Sequence, residues 1–92
     1  MGYKASPDNI LTVEKDPYSL CQTKLQELLR KMRSEAGLRQ ADLAQRLGVP
    51  QSFVSKYESG ERRLDMVEIR QVCLAVGVSL AEFVRRFEES LQ

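Results

Sequence analysis

GLRQADLAQRLGVPQSFVSKYESG, residues 37 to 60, is the stretch that decides how this chain folds. Its small and apolar positions fall where two short helices crossing at a steep angle need them, the first over about Gln40 to Leu47 and the second over about Gln51 to Ser59. Ala44 carries nothing beyond Cβ on the inner face of the first helix, so the second can approach its backbone there. Gly48 follows as the residue able to take a positive φ and end that helix. Val49 and Pro50 form the join. Leu43, Leu47, Val49, Val54 and Tyr57 make one apolar face at helical and turn spacing. Gln51, Ser52, Ser55 and Lys56 are left outside on the second helix, a hydrogen-bonding face of the kind that base-pair edges in a major groove can meet.

Working outward, Asp16-Pro17 starts a preceding helix with a capping carboxylate and a proline at the first helical position. Apolar residues then recur at Tyr18, Cys21, Leu25, Leu28, Met32 and Ala36 before Gly37 ends the run. Beyond Gly60, Asp65-Met66-Val67-Glu68 has the spacing of a capping box. It opens a helix expected to bury Val67 or Ile69 with Val72, Cys73 and Val76, and to stop at Gly77. Ser79-Leu80-Ala81-Glu82 repeats the device for a last helix carrying Phe83, Val84, Phe87 and Leu91. The fold class is therefore all-α, with five helices over residues 17 to 92. Residues 1 to 16, MGYKASPDNILTVEKD, show no helical period and contain Pro7, so they read as an N-terminal arm. Ile10, Leu11 and Val13 suit either a disordered arm or a short extended segment covered by a partner.

The central residues carry a resemblance. Gln40-Ala41-Asp42-Leu43-Ala44 with Gly48-Val49, followed by Val54-Ser55-Lys56-Tyr57-Glu58-Ser59-Gly60-Glu61-Arg62, resembles the helix-turn-helix domain of the phage lambda repressor and Cro superfamily, the XRE family. The likeness spans roughly Leu25 to Leu91. It implies a five-helix, lambda-repressor-like bundle whose second central helix, about 51 to 59, enters a major groove of double-stranded DNA.

Composition agrees with that class. Ninety-two residues allow one domain with a modest core. No apolar run approaches a membrane span and the N-terminus lacks signal-peptide organisation, so a cytoplasmic protein without a membrane partner is expected. Cys21 and Cys73 are far apart and lack CxxC spacing. With no histidine in the chain, neither a metal site nor a cofactor is expected, and both cysteines read as buried and reduced. The net charge of +1 is unevenly spread: residues 24 to 63 hold nine basic against five acidic side chains, while both flanks are net negative. Positive charge thus concentrates on the segment carrying the motif, as a phosphate-facing surface would require. With no phosphate-cradling glycine loop and no nucleophile-base pair, an enzyme is not expected.

The resemblance also assigns roles. Gln40 matches a glutamine that reaches a phosphate and braces the recognition helix. Gln51 and Ser52 match base-reading positions, and a glutamine amide can pair with adenine N7 and N6. Ser55 and Lys56 match positions one turn further on that touch bases or phosphate. Arg62 and Arg63 fall in a loop that follows the sugar-phosphate backbone in relatives, while Phe53 points sideways, where packing under that loop is expected ahead of the alternative, contact with a thymine methyl. Arg33 and Glu58 match an ion pair tying the recognition helix to the first helix. The chain departs from the pattern at Arg39 and Pro50, where relatives usually place a Ser or Thr cap, and at Leu64, which replaces a frequent proline. Arg39 is thereby free to contact a phosphate. The function implied is a transcriptional regulator, a repressor by preference, binding its operator as a homodimer through the last helix with help from the arm. The alternative is an antitoxin that blocks a toxin partner while regulating its own operon.

Overall fold

The computed structural model describes residues 17 to 92, and the expected arm and Asp16 cap lie outside them. Five helices follow one another: α1 (Pro17–Glu35), α2 (Gln40–Leu47), α3 (Gln51–Ser59), α4 (Met66–Val76) and α5 (Leu80–Ser90). All-α architecture is what the sequence periods predict.

The helix ends follow local chemistry. At Gly48 the backbone turns left-handed, with φ 72°, and the amide of Val49 reaches back to the Ala44 carbonyl at 3.0 Å. This six-residue closure satisfies the last carbonyls of α2 and aims the chain into α3. At α4 the Asp65 carboxylate accepts the Glu68 amide at 2.8 Å while the Glu68 carboxylate accepts the Asp65 amide at 2.9 Å, closing the capping box. Ser79 Oγ accepts the Glu82 amide at 3.0 Å to start α5.

The two unusual caps are resolved differently. Arg39 uses its backbone amide, which donates to Asp42 Oδ2 at 2.8 Å, and its guanidinium grips the same carboxylate at 2.9 and 3.0 Å. The Arg39 guanidinium thereby holds the Asp42 carboxyl down at about 2. Pro50 contributes no side-chain cap; its carbonyl accepts the Phe53 amide at 3.0 Å.

All five helices supply the core: Leu28, Leu29 and Met32 of α1, Leu43 and Ala44 of α2, Val54 and Tyr57 of α3, Val72 and Cys73 of α4, and Phe83 of α5. Several expectations are corrected here. Tyr18 is half exposed, Cys21 only partly buried and Ala36 exposed, so the buried stripe of α1 is Leu25, Leu28, Leu29 and Met32. Those four positions have the i, i+3, i+4, i+7 spacing of a core-facing helix. At α4, where the sequence left Val67 or Ile69 open, Ile69 takes the inner position and Val67 lies exposed. Burial pushes the Cys73 thiol up, so it stays protonated, whereas Cys21 is not a core cysteine. Phe83 is core, which removes it from any surface that a second copy could cover.

Candidate nucleic-acid interface

Helix α3 turns Val54 and Tyr57 inward, both essentially inaccessible, and leaves Gln51, Ser52, Ser55, Lys56 and Ser59 on the opposite side. Ser52, Ser55 and Lys56 hold no side-chain partner among the described residues, so their hydroxyls and ammonium are available to a ligand. Two flanking residues, Phe53 and Glu58, lie partly buried and fix the roll of the helix.

On one flank, Glu58 accepts two parallel hydrogen bonds from Arg33, Nε to Oε2 at 2.7 Å and Nη2 to Oε1 at 3.0 Å. The side chains are only 13% and 4% exposed. Arg33 also donates to the Leu38 carbonyl at 2.8 Å, tying in the α1–α2 connection. Gln40, at the start of α2, gives its amide to Glu58 Oε1 at 3.0 Å, and its own carbonyl oxygen faces the Gln51 amide at 3.4 Å. A chain of contacts Arg33, Glu58, Gln40, Gln51 therefore runs from the last turn of α1 to the first residue of α3. Fork-to-fork pairing fixes orientation as well as distance.

On the other flank, the Phe53 ring meets Tyr57 edge-on at 5.8 Å and lies under the Arg62 guanidinium at 4.5 Å. Arg62 continues to Glu68 at 3.0 Å, the carboxylate that also caps α4. Phe53 thus packs beneath the loop, as the sequence predicts. The link from Arg62 to Glu68 was not legible, because it depends on the path of residues 60 to 65. Gly60 makes that path possible: its φ is 91°, and a Cβ there would sit 2.9 Å from the Gln26 side chain of α1.

The remaining cations divide into engaged and free. Arg63 lies over the Tyr18 ring at 5.1 Å and Arg39 is paired with Asp42. Arg46 donates to the Ala75 carbonyl at 2.8 Å. Arg30 has no partner among the described residues and lines an open recess of about 210 Å³ with Gln40, Ser55, Glu58 and Ser59. Sequence reasoning counted Arg30 only as charge; its position three residues before Arg33, on the same side of α1, was the signal available. Among the described residues no group of His, Cys, Asp and Glu could hold a metal, and no helix is long and apolar enough to cross a membrane.

Residues 25 to 85 match the family model for a helix-turn-helix domain. An XRE-family like protein from Pseudomonas syringae pv. tomato str. DC3000 has the same fold, with 41% identity, a TM-score of 0.74, and coverage of 79% of this chain and 89% of that one. This chain belongs to the XRE family of helix-turn-helix DNA-binding regulators. The clp gene regulator ClgR from Corynebacterium glutamicum is 25% identical with a TM-score of 0.69, covering 77% of this chain and 76% of that one. The restriction-modification controller protein C.Esp1396I, solved as a tetramer with its natural 35 base-pair operator, shares the fold at 22% identity. Its TM-score is 0.71, over 77% of this chain and 93% of that one. A search of curated proteins found no match.

Proposed function

We propose that this XRE-family chain is a sequence-specific transcriptional repressor that binds its operator as a homodimer, with α3 lying in the major groove. The observation that carries the reading is the combination of an outer α3 face with unengaged hydrogen-bonding groups and a helix held from both flanks. Such a face keeps its side chains in register with base edges without spending them on the fold.

Gln51 and Ser52 sit at the end of α3 that enters the groove first and read bases; Ser55 and Lys56 follow one turn on. Gln40 both braces Gln51 and offers an amide toward a backbone phosphate. Arg39, Arg62 and Arg63 border the face, and their guanidiniums serve phosphates after partial release from Asp42, Glu68 and Tyr18. Arg33 and Glu58 hold the scaffold. Two copies place two recognition helices in successive grooves about 34 Å apart. With Phe83 in the core, the large exposed apolar side chains available to a second copy are Val84 of α5, Met66, Val67 and Leu74 of α4, and Tyr18 and Leu20 of α1; we assign the contact to those of α4 and α5. In support of the reading, C.Esp1396I, which has this fold, was solved as a tetramer in complex with its natural 35 base-pair operator.

Selection of bound duplexes from a random DNA pool tests the reading. Enrichment of a sequence with two-fold related halves one helical turn apart is expected. Failure to enrich any sequence would overturn it.

A further inference from the structure

We propose that Arg30 of α1 is a DNA phosphate contact that closes the side of the interface next to α3. The proposal rests on the reading of α3 as the groove-entering helix.

Five arginines, Arg33, Arg39, Arg62, Arg85 and Arg86, each hold a carboxylate within 3.0 Å. The Arg30 guanidinium has none among the described residues, and it is exposed. It is not simply a solvated cation on an open helix face. Its recess is shared with Ser55 and Ser59 from the outer side of α3 and with Gln40 from the start of α2, so a ligand lying along α3 passes within its reach. Glu58 also lines the recess, but its two oxygens are taken by Arg33 and Gln40. The Arg33–Glu58 pair is neutral as a unit. Among the residues lining the recess the net charge is therefore the single positive charge of Arg30, with the Ser55 hydroxyl and the second N–H of the Gln40 amide as uncharged donors beside it, the Ser59 hydroxyl being turned to the Lys56 carbonyl at 3.1 Å. A singly charged oxyanion held by a guanidinium, a hydroxyl and an amide is the chemistry of a backbone phosphate.

Lys31, the next residue, supplies an internal comparison. It is also exposed and without a partner; it shares one recess with Arg30, Glu27 and Glu35 and lines a groove toward Arg85 and Glu89 of α5, but it does not reach the recess beside α3. Replacing either residue removes one positive charge; only one of them borders α3.

Binding of a mixed-sequence duplex and of a pool-selected duplex is measured against salt for wild type, Arg30→Gln, Arg30→Lys and Lys31→Gln. Loss of one phosphate contact lowers the salt slope by about 0.9, so between about 50 and 200 mM salt Arg30→Gln should lose about threefold less affinity than wild type. The drop should be equal on both duplexes, Arg30→Lys should restore the slope, and Lys31→Gln should leave it unchanged. Thermal melts confirm that all four proteins are folded to the same midpoint. A wild-type slope in Arg30→Gln, or equal losses in Arg30→Gln and Lys31→Gln, overturns the Arg30 contact while leaving the DNA-binding reading intact. Absence of wild-type binding to either duplex overturns both.

Discussion

Replacing Arg33 by Met strands the Glu58 carboxylate, 4% exposed, with the Gln40 amide as its one remaining side-chain partner. The magnitude follows from burial. Removing one partner of a buried ion pair costs roughly 3–5 kcal/mol, because the surviving charge loses both water and its counter-ion. A folded unit of this size has a total stability on the order of 4–11 kcal/mol, so either Arg33→Met or Glu58→Gln should consume much of it. The double variant leaves no buried charge, only the lost fork and the orphaned Leu38 carbonyl that Arg33 had served. It should therefore be destabilised by less than the sum of the singles, with a coupling of roughly 0.5–3 kcal/mol. Urea unfolding of the four proteins, followed by circular dichroism at one pH and salt, measures each midpoint and slope. Strict additivity would refute the reasoning, since it would mean that the two side chains do not act as a unit.

Gln51→Ala should lose about 1–3 kcal/mol on the selected operator and almost nothing on random duplex. Fluorescence anisotropy on the two duplexes checks this, and equal losses on both would argue against base reading. Asp42, whose carboxyl is held at about 2 in the folded chain against an ordinary 3.8, binds its proton more weakly folded than unfolded. Its contribution to stability is therefore complete above about pH 4 and is lost as pH falls toward about 2. Asp42→Asn should flatten that part of a plot of urea midpoint against pH. Sedimentation should show a dimer of the wild type at tens of micromolar, and Leu74→Glu combined with Val84→Glu should yield a folded monomer; a monomeric wild type on operator DNA would exclude the dimer.

What could be read from the sequence was what adjacent residues determine. The ends of α2, α4 and α5 are written in Gly48, Asp65 with Glu68, and Ser79, each acting within a few residues of itself, so the five-helix order follows from local rules. Phase was harder. A capping box sets where α4 starts but not which side turns inward, so Ile69 rather than Val67 had to be settled by packing against α2 and α5. In α1 the apolar spacing was followed out to Tyr18, yet only the part from Leu25 onward packs against the core. The outward placement of positions 51, 52, 55 and 56 was legible because a helix with Val54 and Tyr57 inside has one possible outside. The state of each arginine was not: Arg62 and Arg63 find partners through contacts that spacing does not encode, and the Arg39–Asp42 pair, though only three residues apart, depends on the rotamer the guanidinium takes at the cap.

The way α3 is held has a consequence for how such a regulator changes its target over time. Its anchoring residues are Phe53, Val54, Tyr57 and Glu58, whereas the side chains of Ser52, Ser55 and Lys56 make no hydrogen bond or ion pair among the described residues. Recognition and folding are thus written in interleaved but separate letters of one nine-residue helix. On the proposed reading, substitutions at the outer three positions would redirect the protein to a new promoter with little effect on its stability, so duplicated copies could diverge in address while keeping one architecture. Gln51 is the exception: it contacts Gln40, so on the proposed reading a change there would alter the support of the helix along with the base it meets.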